Sequence, residues 1–233
     1  MALNALFLLG LVLFPAVSYA HHTPIDEVVI HHNEPLPQHF ISSVESSLQQ
    51  VRQVEIYRAT PGIDICVNDG SLYPKLIRGL MGDDVFRAFA NKSVMMGTIS
   101  GPDQMQVWGR QVSTSQFLAH AMIHNLQYAY HGFWDANPLG QYPEWKWEGY
   151  VEYELLGKNK PLSYFEQKLE TTSGDAFAWV VLEGGLSTIK QHIAYLMLVK
   201  YCMEEKDMAY DELMAYEVSE IALREELEAF LKK

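Results

Sequence analysis

Two histidines near the middle of the chain, His120 and His124, have the spacing of a metal-ligand pair. Four residues make about one turn of an α-helix, so both imidazoles would leave the same face and could converge on one ion. Zinc binds two imidazoles with one carboxylate and keeps a fourth position for water. Glu148 is the candidate for that carboxylate. Glu152, one turn further along the chain, could hold a ligating imidazole by its other nitrogen.

The same histidine spacing also occurs by chance on helices that bind no metal. Such a pair then belongs to the helix surface or is a hydrogen-bonded part of the core. What decides between the two interpretations is the sequence around the pair.

Two segments together resemble the small gluzincin-type zinc metallopeptidases, whose pattern is HExxH followed by an EGxxEY-like helix. They are Phe117-Leu118-Ala119-His120-Ala121-Met122-Ile123-His124-Asn125-Leu126-Gln127 and Trp147-Glu148-Gly149-Tyr150-Val151-Glu152-Tyr153. The resemblance extends over roughly residues 60 to 215. It implies peptide hydrolysis, with zinc bound by His120, His124 and Glu148 and with Glu152 supporting the first histidine.

The chain departs from that pattern at Ala121, where the resembling family has the glutamate that acts as general base. A methyl group cannot accept a proton, and loss of a positioned base typically costs about 10² to 10⁴ in rate. We therefore expect peptide hydrolysis to be impaired or lost, as in a pseudoenzyme, while zinc and a peptide or protein partner still bind. The second hypothesis is an active hydrolase that recruits another base, for which Glu152 is conceivable.

The resemblance also implies a histidine or tyrosine on a later helix that stabilises an oxyanion. His192 and Tyr195 are the candidates for this role. The alternative for each is an ordinary packed side chain.

The elements that must position these residues follow from periodicity and from helix-end signals. Ser113, with Gln116 three residues later, has the form of a capping box and opens a helix that runs to about His131. A second helix runs from about residue 144 to 156 and stops at Gly157. A hairpin formed by residues 93–99 and 104–108 precedes the first of them.

The remaining elements give a fold of the α+β class, with a small N-terminal strand layer, the histidine helix and a mostly helical C-terminal half. The resemblance implies the gluzincin architecture for it. A strand is predicted at residues 63–67, and helices at 40–55, 72–80, 84–90, 162–170, 187–204 and from 210 to the end.

The first 20 residues are almost entirely apolar and end in Ser18-Tyr19-Ala20, the pattern of a cleavable secretory signal peptide. Residues 2–20 are also nearly long enough to remain as a membrane anchor. Both alternatives export the protein, to the periplasm or the medium in the first case and to a membrane surface in the second. We expect a histidine-rich leader at 21–39 and a single domain at 40–233.

That leader supports a rival function, because His21, His22, His31, His32 and His39 lie in it among several prolines. Imidazoles on a flexible segment can capture zinc, copper or nickel. An exported metal-binding or metal-delivery protein is therefore the alternative to a peptidase relative. The simpler interpretation is a solvated leader in which the histidines bind nothing.

Charge and cysteine content limit the partners and the compartment. With 17 basic and 29 acidic residues, the formal charge of −12 repels phosphate backbones, so we expect no nucleic-acid binding. Two cysteines do not make a disulfide scaffold. Cys66 and Cys202 either join in an oxidising compartment or remain separate buried thiols.

Overall fold

The chain divides into two compact units in a computed structural model that describes residues 10, 12–58 and 62–232. The first unit comprises Met1–Gln53 and Tyr57–Phe133, and the second comprises Val54–Ile56 and Trp134–Lys233. The single domain that the sequence predicts stays a prediction, because two compact units can belong to one domain. The main boundary between the units follows Phe133, directly after Gly132, which ends a long helix at a φ of 84° and begins a stretch without helix or strand.

The described residues of the first unit form the strands of two sheets and several helices. Its strands are β1 (His21–Ile25), β2 (Val28–His32), β3 (Ile63–Cys66), β4 (Phe86–Phe89), β5 (Lys92–Met95), β6 (Thr98–Gly101), β7 (Gln104–Val107) and β8 (Arg110–Ser113). Its helices are α1 (Gln38–Val51), α2 (Leu72–Met81) and α3 (Thr114–His131). A short 3₁₀ turn, Pro15–Ser18, precedes β1.

The larger sheet has the order β1-β2-β3-β5-β4, and the smaller sheet has the order β6-β7-β8. Strands β2, β3 and β5 are parallel to one another, whereas β1 and β4 close the two edges in antiparallel pairing. All four residues of β5 are buried, as expected for an interior strand that is covered on both faces. The smaller sheet is an antiparallel meander that leads directly into α3.

The second unit is mostly helical. It contains α4 (Glu144–Glu152), α5 (Leu162–Thr171), β9 (Trp179–Val181), β10 (Ser187–Ile189), α6 (Lys190–Lys200), α7 (Tyr210–Ala215) and α8 (Glu220–Leu231). A π-helical turn extends each of α4 and α6, at Tyr153–Gly157 and Tyr201–Glu205. Because most of the described strands lie in the first unit and the second unit is mostly helical, the fold is α+β as predicted.

The prediction of an unpacked leader at residues 21–39 is wrong. These residues form β1, β2 and the start of α1, and β2 lies in the interior of the sheet between β1 and β3. Val28 and Ile30 are buried in it. The polar histidines of β2 are accommodated because partners on neighbouring strands and turns accept or donate their hydrogen bonds.

Three other predicted boundaries differ from the structure. Residues 86–89, predicted as helix, form β4 because they pair with β5, with Phe86 opposite Met95. Residues 187–189, also predicted as helix, form β10 against β9. The predicted hairpin exists as β6 and β7, whereas residues 93–95 of its first arm belong to β5.

The segment before β1 packs onto the first unit. Tyr19 is 6% exposed, and its hydroxyl donates to the carbonyl oxygen of Val67 at 3.0 Å. The main-chain N–H of Ala20 donates to Asn33 Oδ1 at 2.9 Å. Half of the predicted signal peptide, residues 1–9 and 11, lies outside the described residues. Within the described part, no helix has the length and apolar character needed to cross a membrane.

Cys66 and Cys202 are both free and buried. Of the two alternatives for these residues, the structure has the separate thiols. Burial raises the pKa of both, that of Cys202 to about 11. A thiol that stays protonated is a poor nucleophile and a poor metal ligand, so neither cysteine is a candidate for chemistry.

Candidate metal centre

The N-terminus of α3 is held by a carboxylate in the preceding hairpin turn. Asp103, at a φ of 48°, accepts from the main-chain N–H of Ser115 at 2.7 Å and from the Ser113 hydroxyl at 2.7 Å. It also accepts from Ser43 on α1 at 2.9 Å. Ser113 accepts from the N–H of Gln116, as the predicted capping box requires. A negative charge at this end complements the helix dipole and fixes where α3 begins.

The middle of α3 is fastened to the larger sheet by Asn125, the residue directly after His124. Asn125 is 2% exposed. Its amide nitrogen donates to the carbonyl oxygens of Ala90 and Lys92, each at 3.0 Å, and its amide oxygen accepts from Ser93 at 2.6 Å. All three contacts lie at the β4–β5 connection, so the rotation of α3 about its axis is fixed beside the histidine pair.

The two histidines face each other on α3 with their Nε2 atoms 3.1 Å apart. Nitrogens bound to one tetrahedral zinc ion at about 2.0 to 2.1 Å lie about 3.3 Å from each other, so the observed separation suits a shared ion. His124 Nδ1 lies 2.8 Å from Gln127 Oε1. Because an amide oxygen only accepts, Nδ1 carries the hydrogen and Nε2 keeps the lone pair that a metal requires.

Glu148 completes a three-residue group with this pair. One ligand atom from each of His120, His124 and Glu148 lies within 4.8 Å of the others. His124 is buried and the other two side chains are partly exposed. The described residues therefore include two imidazoles and one carboxylate that could hold a metal ion.

The helix that carries Glu148 packs very closely against α6. At Gly149, a Cβ atom would lie 2.7 Å from the carbonyl oxygen of Tyr195 and 2.9 Å from Val199 Cγ2. Real Cβ atoms do not approach other atoms so closely, and only glycine permits this contact. The glycine of the Glu148-Gly149 pair thus has a packing role, and it sets the position of α4 against α6.

Glu152 is hydrogen-bonded within its own unit. Its side chain is 2% exposed, and Oε1 accepts from the Thr188 hydroxyl at 2.7 Å and from His192 Nδ1 at 3.0 Å. Oε1 of Glu152 is therefore held by two donors, the Thr188 hydroxyl and His192 Nδ1. The support of His120 by Glu152, which the resemblance implies, stays a prediction.

The other predicted site residues are placed as follows. His192 and Tyr195 lie on α6 with ring centroids 6.4 Å apart, and Tyr195 accepts a hydrogen bond from Gln191. Burial raises the pKa of Tyr195. Ala121 lies on α3 and is 1% exposed. An oxyanion role for His192 or Tyr195 stays a prediction.

Three polar residues that position these elements were not recognised from the sequence. Asp103 lies in a turn and contacts the start of α3, and Thr188 lies on β10 and contacts Glu152 on α4. Neither contact follows from the local sequence. Asn125 had a signal, because it is a polar residue on a helix whose neighbours on both sides are apolar or candidate ligands. Its buried position indicates a structural hydrogen-bond role.

Comparison of the chain with protein-family models, with curated proteins and with solved structures gives no match. The likeness to gluzincins therefore depends on the residues quoted above.

Proposed function

We propose that the chain is a zinc-binding relative of the gluzincin peptidases that has lost most or all of its hydrolytic activity and binds a peptide or protein partner. The observation that carries the proposal is the clustering of His120, His124 and Glu148 within 4.8 Å. This is the ligand set of the resembling family, at the corresponding positions of its motifs.

The donor chemistry favours zinc over calcium and magnesium. Calcium and magnesium take oxygen ligands, whereas two imidazoles with one carboxylate suit zinc. The tautomer that Gln127 imposes on His124 leaves the lone pair on Nε2, where a nitrogen-bound metal such as zinc requires it. Zinc held by these residues would supply a Lewis acid that polarises water or a peptide carbonyl.

The reduced activity follows from the residues beside the ligands. Ala121 offers no proton acceptor at the position of the general base. Glu152 is a poor substitute, because Oε1 already accepts from Thr188 and His192. Without a base, peptide hydrolysis should be slower by about 10² to 10⁴ than in a member with glutamate there.

Metal content and thermal unfolding test the proposal. We expect the melting temperature of the purified chain to fall when a chelator removes the ion, because an ion that binds only the folded state stabilises it. At a free zinc concentration of about 100 times Kd, the stabilisation is about 2.7 kcal/mol. His120→Ala should bind one equivalent of zinc less than the wild type and should lose the melting response that this zinc produces.

His131→Ala is the matched control, because His131 lies at the end of the same helix and outside the three-residue group. It should keep the zinc content and the chelation response of the wild type. Equal zinc content in His120→Ala and His131→Ala would rule out this metal centre.

A further inference from the structure

The edge of the larger sheet carries two cross-strand pairs of histidines. The register of β1 and β2 places His21 opposite His32 and His22 opposite His31. Because side chains alternate along a strand, the two pairs lie on opposite faces of the sheet. The histidines predicted to lie on a flexible leader are therefore held in a fixed arrangement.

Only one of these pairs has ring nitrogens that face each other. His22 Nδ1 and His31 Nδ1 are 2.8 Å apart. In the other pair, His32 is committed elsewhere, because its two ring nitrogens lie 2.8 Å from Thr23 Oγ1 and from the carbonyl oxygen of Glu34. The pair formed by His22 and His31 is thus the candidate for chemistry, and His21 is its natural control.

Asp64 on β3 fixes the tautomer of His31. Its Oδ1 lies 2.8 Å from His31 Nε2. An ionised carboxylate only accepts, so Nε2 donates to it and the neutral ring keeps its lone pair on Nδ1, towards His22. This is the arrangement by which proteins orient metal-binding histidines, with a carboxylate on the far nitrogen. Asn91 Nδ2 in turn donates to Asp64 Oδ2 at 3.4 Å.

The two Nδ1 atoms, which are at hydrogen-bond distance, are close enough to bind one ion together. Two nitrogens in adjacent positions of a square-planar ion, each at about 2.0 Å, lie about 2.8 Å apart, whereas a tetrahedral ion needs about 3.3 Å. The observed 2.8 Å matches the square-planar case. Copper(II) and nickel(II) adopt that geometry, and copper(II) binds more tightly to a given nitrogen site.

An ion can reach this pair from solvent. His22 is exposed, while His31 is 5% exposed and anchored in the sheet.

We propose that His22 and His31 bind one divalent copper ion through their Nδ1 atoms, with Asp64 orienting His31. Nickel(II) occupies the same pair more weakly. In the hydrogen-bonded pair His22 carries its hydrogen on Nδ1, because His31 Nδ1 is the acceptor. On binding, that hydrogen moves to His22 Nε2 through solvent, both Nδ1 lone pairs go to the ion, and water completes its coordination. This pair is separate from His120, His124 and Glu148 and does not depend on the function proposed for them.

Equilibrium dialysis of the full chain against copper(II) tests the proposal. We expect His22→Ala to bind one equivalent less than the wild type and His21→Ala to bind as much as the wild type. The wild-type copper spectrum in electron paramagnetic resonance should show two coordinated nitrogens that His22→Ala removes. Asp64→Asn should lower the affinity of this site for copper(II) by about 10-fold to 100-fold, as loss of a supporting carboxylate does.

His22→Ala also removes the hydrogen bond to His31, so its melting temperature in chelator is measured and should stay well above the dialysis temperature, which separates lost binding from lost folding. His120→Ala should retain this copper equivalent, so the two proposals can fail independently. Equal copper binding by His22→Ala and His21→Ala would overturn the proposal, as would an Asp64→Asn protein with wild-type copper affinity.

Discussion

Gly149 on α4 and Tyr195 on α6 are in main-chain contact so close that a Cβ atom on Gly149 would lie 2.7 Å from the Tyr195 carbonyl oxygen. Gly149→Ala must push the two helices apart. We expect it to destabilise the protein by about 1 to 3 kcal/mol, the usual cost of overpacking, in urea unfolding experiments.

Gly79→Ala is the control for that substitution, with the opposite sign. Gly79 lies inside α2, and a Cβ there meets no atom within 4 Å. Alanine in a helix interior is favoured over glycine by about 0.5 to 1 kcal/mol, so this variant should be more stable than the wild type. A Gly149→Ala protein as stable as Gly79→Ala would contradict the close contact.

Replacement of Glu152 should show that its carboxylate is a structural acceptor. Glu152→Ala leaves the Thr188 hydroxyl and His192 Nδ1 without the oxygen that they share. We expect a loss of about 2 to 3 kcal/mol in chelator, because Thr188 is buried whereas His192 keeps some access to water. Glu152→Gln retains an acceptor oxygen and should lose clearly less. Equal losses of unfolding free energy in Glu152→Ala and Glu152→Gln would show that these hydrogen bonds do not contribute to stability.

Restoring a base at position 121 tests the remainder of the centre. Zinc-loaded Ala121→Glu should hydrolyse peptides about 10² to 10⁴ times faster than the wild type. The matched control is Ala121→Gln, which adds nearly the same volume at this buried position but accepts no proton at neutral pH. Activity should follow the carboxylate, so Ala121→Gln stays at the wild-type level. An Ala121→Glu protein that is folded, zinc-loaded and no faster than Ala121→Gln would favour a binding role alone.

A pH-dependent term in stability should come from Glu154. Its side chain is 2% exposed, and burial raises its pKa above the ordinary value of 4.5, although Lys158 lies 2.6 Å away. The folded protein therefore holds this proton more tightly than the unfolded chain. Stability from Glu154 is highest at a pH below the unfolded pKa and falls as the pH rises through the folded pKa.

Glu154→Gln removes that dependence. As the pH rises from about 4 towards neutrality, the free energy of unfolding of Glu154→Gln should increase relative to that of the wild type, so the variant becomes relatively more stable. Urea unfolding at several pH values measures the difference. A difference that is constant with pH would show that burial does not perturb this carboxyl group.

The helices near the candidate centre were predictable because their signals are local. Ser113 and Gln116 indicated where α3 begins, and the structure confirms the cap. The helical segment also ends at Gly157, but Gly157 is the last residue of a π-helical turn and does not adopt the positive φ of a glycine C-cap, so the position of this end was predicted and its cause was not. Capping chemistry and a 3.6-residue period depend on neighbours in the sequence, so they can be recognised without the fold.

The strands were harder to predict because their partners lie far along the chain. The residues of β4 contain Phe86 and Phe89 at a spacing that also suits a helix, and only pairing with β5 decides between the two. The histidines of β2 looked like a solvated leader. Their burial depends on Asp64 and on the pairing of β2 with β3, neither of which follows from local composition.

If the chain is cut after Ala20, the packing of Tyr19 and Ala20 restricts when that cut can take place. A peptidase must bind several extended residues on both sides of the bond that it cuts. In the folded chain, Tyr19 is enclosed, the N–H of Ala20 is bound to Asn33, and His21 is already paired with His32. Any cut after Ala20 must therefore come while the sheet is still unformed, and folding first would protect the bond.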